Sequence, residues 1–309
     1  RLDGSGALEK TGSGIAHLTA AGSSVGAVTV KAGEVARDQN GLFTAESYDN
    51  TGTTSIASSA QLSVKQAFTQ DTAGILTVTV GENNEPAITA GSADLAGTLR
   101  VSGFSGETFT TSSALGRRYV VIDAAGAITG NFDNVLIDST INPTDYLTLS
   151  GQVVGDKYEI GLGLTWFAGQ QKGNGNFTIA GTSDLFEVNE VLGNQKGPFV
   201  SGWTGDTLTK LGSGTLVLSK ENTYTGATTV EEGTLRMGVD DAIALSSEVI
   251  VSEDATLALA GNDQKLNNLG GAGNVTLNGG RLTAVHSPTP ECSGSPSGAG
   301  GVVNAASGP

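Results

Sequence analysis

Two acidic pairs give this chain its most ordered opportunity for chemistry. Glu231 and Glu232 precede Gly233, and Glu253 and Asp254 precede Ala255, at a spacing of 253 − 231 = 22 residues. If the chain coils with that period, the pairs lie over one another on adjacent turns. Like charges so placed repel by a few tenths of a kcal/mol, and splaying into water relieves them. The other outcome is a cation bridged by four carboxylates, with Asp240 and Asp241 nearby, since hard oxygen donors suit calcium. Tyr224, in the turn Asn222-Thr223-Tyr224, is the candidate for contact with a partner. It reads as an exposed ring or a cap on the coil above, or as a contact to a receptor or a sister copy.

Other chemical patterns are incomplete. Cys292-Ser293-Gly294-Ser295-Pro296 resembles the Gly-Asp-Ser-Gly-Ser-Pro of secreted serine proteases, but Cys292 and Glu291 stand where that motif has Asp and Gly. A nucleophilic serine needs a base held by an acid, and the chain has only His17 and His286. His17 lies in the alternating run Ile15 to Leu18 and reads as a strand residue. Gly-x-Gly occurs repeatedly, for example at Gly212-Ser213-Gly214, yet it does not continue into the Gly-x-Gly-x-x-Gly of a phosphate-binding loop. Gly270-Gly271-Ala272-Gly273-Asn274 meets Val275 where a calcium-binding roll requires Asp. No His, Cys or carboxylate cluster has zinc spacing. No catalytic residue and no cofactor are expected.

These residues sit on a repeat. Gly214-Thr215-Leu216 returns as Gly233-Thr234-Leu235, as Ala255-Thr256-Leu257 and as Val275-Thr276-Leu277. The period is near 20 residues with β-type content, which predicts one solenoid coil per repeat. Leu8 to Gly14 parallels Leu208 to Gly214, and Val30 to Gly33 parallels Val230 to Gly233. Ala60-Gln61-Leu62 parallels Ala255-Thr256-Leu257. Alternating runs such as Thr215 to Leu218 and Val249 to Val251 put every second residue on one face. Leu216, Leu235, Leu257 and Leu277 are expected to share one interior column. Only Leu185 to Leu192 approaches a helical apolar period, and it is short.

Composition agrees. The chain has 309 residues, 46 of them Gly, and its 5% aromatic content predicts a narrow core of Val, Leu, Ile, Ala and Thr. Gly and Asn suit turns with positive φ. The formal net charge of −15 argues against nucleic acid, which needs clustered Lys and Arg, and against a polybasic membrane contact. The single Cys292 cannot form an internal bridge. No run of 18 apolar residues is present for a membrane-spanning helix. The chain has no initiating Met and no leader at Arg1, so it reads as an internal piece of a longer protein.

The run Thr207 to Leu235 resembles the passenger-associated repeat of bacterial autotransporters: a Leu-Thr-Lys stem, a Gly-x-Gly-Thr-Leu strand, an Asn-Thr-Tyr-x-Gly turn and a Gly-Thr-Leu strand. Leu8 to Val35 matches more loosely. Tyr158 to Trp166, Asn176 to Ile179 and Phe186 to Val188 are also similar to passengers of the AIDA type. The resemblance implies a right-handed, three-sided parallel β-helix, displayed on a Gram-negative cell surface or secreted after cleavage. It implies adhesion, self-association and biofilm formation, with a host-cell surface, an extracellular-matrix receptor or another copy as partner. Membrane attachment would come only through a C-terminal β-barrel, which this sequence does not include.

The expectation is therefore an all-β, elongated parallel β-helix in one domain, 1–309. Its parts are N-terminal coils over 1–116, wider coils with extra hairpins over 117–205, and passenger-associated repeats over 206–309. A β-helical polysaccharide-degrading enzyme is the rival reading. The chain's lone Asp-Asp pair is Asp240-Asp241, and it has no Gly-His-Gly partner. A further reading makes the C-terminal repeats an autochaperone for the coils before them.

Overall fold

A computed structural model describes residues 1–81, 84–104, 115–138, 144–286 and 296–306. Strands hold 53% of the described residues and helix 3%, in a β-solenoid of about 13 turns, so the expected fold class is the one that forms. The run Leu185 to Leu192 is not helical. It begins with the strand Leu185–Val188, in which Phe186 and Val188 point inward. The chain divides into two compact units. The first comprises 1–107, 116–143 and 149–162, and the second 108–115, 144–148 and 163–309.

In the first unit, the strands Leu8–Lys10, Ser23–Val30, Gly41–Asn50, Ala60–Gln70 and Ile88–Leu95 pair in parallel in that order. A second sheet runs through Ile15–His17, Glu34–Arg37, Thr53–Ile56, Ile75–Val80, Thr98–Phe104 and Asn134–Ile137. The long strands bend. In Ala60–Gln70 the in–out alternation breaks at Lys65 and Gln66, two neighbours that both face water, and the register shifts there. One bent sheet therefore covers two sides of the coil, and the second sheet covers the third. The interior is made of columns. Val28 stands on Tyr48, Tyr48 on Phe68 and Phe68 on Ala93, all of them buried. Each fully buried large side chain contributes about 1.5–3 kcal/mol. Arg118–Ala124 then pairs antiparallel with Lys157–Leu164, whose other neighbour in the sheet is Leu147–Val154.

In the second unit, one parallel sheet runs Asn176–Thr178, Leu208–Leu211, Thr228–Val230, Val249–Val251, Leu269–Gly270. Another runs Leu185–Val188, Thr215–Leu218, Gly233–Met237, Ala255–Ala258, Asn274–Thr276. Phe186, Leu216, Leu235, Leu257 and Val275 form a continuous column. The four expected leucines are all buried in one core, but Leu277 is not the residue beneath Leu257. Val275 is, because Thr256 pairs with Asn274 rather than with Thr276. The sequence alignment was out by two residues, and a shift of two leaves every side chain on its original face.

The proposed equivalence of Ala60 with Ala255 also fails. Ala60 pairs with Gly41 on the bent sheet. Ala255 follows a turn and pairs with Gly233 on the sheet whose first-unit counterpart carries Thr53–Ile56. The core also departs from the ring-poor expectation. The few aromatic residues are largely buried and meet one another: Tyr48 stacks on Phe68 in the first unit, and in the second Trp166 lies 4.7 Å from Trp203 and 5.3 Å from Tyr224, centroid to centroid.

A third parallel sheet in the second unit runs Gln264–Asn267, Arg281–His286, Gly301–Ala306, and in the coils before it, where that side has no strand, side-chain amides hold the turns. Asn222 Oδ1 accepts from the Leu192 amide at 2.8 Å, while its own amide and Nδ2 both donate to the Ala242 carbonyl. Gln264 Oε1 accepts from the Ala242 amide at 3.0 Å. Buried backbone polar groups must find partners, and these two residues supply them.

Candidate functional site

The four carboxylates of the sequence expectation do not form a cation site. Glu231, Glu232, Glu253 and Asp254 are exposed, and among the described residues no group of three or more His, Cys, Asp or Glu side chains is placed to hold a metal ion. The reason lies in turn length. Val230 pairs with Val251 and Gly233 with Ala255, so Glu231-Glu232 fill the upper turn while Ser252-Glu253-Asp254 fill the lower one. The extra residue breaks the pairwise stacking that the 22-residue spacing implied. Asp240 and Asp241 are engaged otherwise: their Oδ1 atoms accept from the amides of Asp263 and Lys265, at 2.7 and 2.9 Å.

Tyr224 is likewise not a surface contact. Its ring is 1% exposed and packs on Trp166. Its hydroxyl lies 2.7 Å from Thr228 Oγ1, which lies 2.9 Å from Ser246 Oγ. Burial pushes its hydroxyl well above the usual tyrosine range. The Asn-Thr-Tyr turn folds inward because a ring is the side chain large enough to reach the cluster around Trp166, and the Thr228 hydroxyl satisfies its polar end.

His17 is an exposed strand-end residue whose Nδ1 lies 2.7 Å from Asp38 Oδ2. The Cys292–Ser295 segment and the His286 side chain lie outside the described residues.

Sequence reasoning missed three buried or half-buried cations. Arg37 is 1% exposed and donates to the Leu18 and Gly41 carbonyls, with its guanidinium 5.7 Å from the Phe43 ring centroid. Lys210 is fully buried, and its Nζ donates to the carbonyls of Leu211, Gly212 and Glu232 at 2.8, 2.6 and 3.1 Å. Burial pushes it down to about 8, against an opposing pull from Glu232. Lys10 repeats the arrangement on Thr11, Gly12 and Ala32. The 200-residue offset between the two Leu-x-Lys-x-Gly-Ser-Gly stretches was the available signal.

The outward faces of the first unit are the other feature with functional geometry. One row reads Glu9, Thr29, Asp49, Thr69, Asp94, Thr129 across six paired strands. A second reads Ser24, Thr44, Ser63, Thr89. Neighbours in a row are about 4.8 Å apart, so carboxylates recur at every second strand with a hydroxyl between them. Thr129 Oγ1 donates to Asp94 Oδ1 at 2.9 Å. Such rows are flat, polar and periodic, and they can make many equivalent weak contacts.

Two segments, 8–36 and 208–237, match the family described as passenger-associated-transport-repeat. They are the segments that carry Lys10 and Lys210. Fold and repeats together support a class: an autotransporter passenger domain of β-solenoid type. Among curated proteins, the chain is similar to the Adhesin BmaC autotransporter of Brucella suis biovar 1 (strain 1330), 32% identical over 149 residues. That match covers 45% of this chain and 4% of that protein's length.

Proposed function

We propose that this passenger is an adhesin displayed on the surface of a Gram-negative cell, binding a host surface, the extracellular matrix or a second copy of itself. The observation that carries the reading is the set of outward polar rows on a solenoid bearing passenger repeats. Adhesion through such a flank needs no deep pocket. Each hydroxyl or carboxylate contributes little, and repetition along the face raises the total by avidity. Self-association, aggregation and biofilm formation follow if the facing flank belongs to another copy. The similarity to a protein named as an adhesin supports the same reading.

The test is display on a non-adherent Gram-negative host. Cells carrying the passenger are expected to settle faster, or to bind matrix-coated wells, and Asp49→Lys with Asp94→Lys is expected to reduce the effect. Release of reducing sugar or unsaturated uronate from polysaccharides, without settling or adherence, would instead favour a β-helical enzyme.

A further inference from the structure

We propose that the paired turns at Leu211–Gly212 and Glu232 form a seat for a primary ammonium ion, of which the Lys210 side chain is the tethered occupant. The seat locks one solenoid turn to the next, and the chain carries it twice, the second time around Lys10. This inference does not depend on the adhesin reading.

The geometry is that of a cation site built from backbone. An ammonium group has three donors and no acceptor, and Lys210 Nζ meets three carbonyl oxygens within hydrogen-bond distance. Two acceptors belong to its own turn. The third, Glu232, lies 22 residues on, in the next coil. At Lys10 the same three positions, one, two and 22 residues on, accept at 2.9, 2.6 and 3.0 Å. The acceptor residues differ between the copies: Leu211 against Thr11, and Glu232 against Ala32. Side-chain identity therefore does not make the seat, and the path of the backbone does.

Glycine keeps that path open. Gly12 and Gly212 have φ of +74° and +71°, and Gly33 and Gly233 have +69° and +64°. A Cβ on Gly33 would come within 2.6 Å of Lys10 Nζ and 2.4 Å of the Gly12 carbonyl oxygen. A Cβ on Gly233 would come within 2.5 Å of the Gly212 and Gly214 carbonyl oxygens. Carbonyl oxygens are common ligands for bound cations. Tethering the ion to the chain removes the need to capture one from solution.

Lys210→Ala removes the atoms of a propylammonium group and leaves the seat open. Its melting temperature is expected to fall by roughly 5 °C or more, since three turn carbonyls lose a charged donor. n-Propylammonium chloride is expected to restore part of the loss. Tetramethylammonium at equal concentration, which has no N–H, is expected to restore none. Lys210→Met, which fills the stem without a donor, is expected to melt below the wild type as well. Equal melting of Lys210→Met and wild type, or equal action of the two salts, would overturn the proposal. Should the Lys210 variants not fold, the same comparison on Lys10→Ala and Lys10→Met decides it, because that copy is only half-buried.

Discussion

At the scale of single residues, the buried charge of Lys210 makes a signed prediction. Its value of about 8 in the folded chain lies below the 10.5 of free lysine. Between those pH values the unfolded chain keeps a proton that the folded chain has released, so stability rises with pH across that window. The full rise is on the order of 3 kcal/mol. Urea midpoints of wild type and Lys210→Met at the two ends of the window isolate it, because the remaining groups titrate in both proteins. The wild type is expected to gain on the variant as pH increases, and a constant difference would show that the amine does not titrate there. Legibility at this scale was uneven. Leu216, Leu235 and Leu257 were readable as a column because period-two alternation fixes which face a residue occupies. Tyr224 was not, because whether a turn folds inward depends on a cavity beside Trp166 that residues distant in sequence create.

At the scale of elements, the coils are parallel strands joined by turns of unequal length, and that inequality decides the chemistry. One extra residue between Val251 and Ala255 is enough to dissolve a cation site that looked plausible from spacing alone. The turns around Ala242 in the second unit are held by Asn222 and by Gln264, the first residue of the strand Gln264–Asn267. Gln264 Nε2 also donates to the Val239 carbonyl at 2.7 Å. Gln264→Ala leaves that carbonyl and the Ala242 amide without their side-chain partner, at about 1–3 kcal/mol each. The expected result is loss of hydrogen-exchange protection at the Ala242 amide, whereas the amides of Leu235 and Leu257 in the adjoining sheet keep theirs. Simultaneous loss at all three sites would mean that the amide ladder carries the whole unit. Neither Asn222 nor Gln264 stood out in the sequence, since single amides, one in a turn and one at the start of a strand, have no period to reveal them.

At the scale of the whole molecule, the formal charge of −15 bears on any self-association. Copies of one acidic chain repel at long range, and salt screens that repulsion within about 10 Å at 0.1 M. If a second copy is the partner, association measured by light scattering is expected to strengthen as sodium chloride rises from low millimolar to physiological ionic strength. Weakening with salt would point instead to opposite charges meeting at the contact. The alternation of carboxylate with threonine along Glu9, Thr29, Asp49, Thr69, Asp94 and Thr129 spaces like charges to every second strand, which limits repulsion within the row itself.

The sequence by itself determined the repeat, the strand faces and the solenoid class, because these rest on periods of two and of about twenty that any reader of the chain can count. It also carried the duplicated Lys10 and Lys210 stretches, though not their role. Only the tertiary structure decided which residues share a turn, where a two-residue slip occurs, and whether a polar side chain faces water or a carbonyl. Those outcomes depend on turn lengths summed over a coil and on the space that remote aromatic side chains leave, and neither quantity is local in sequence.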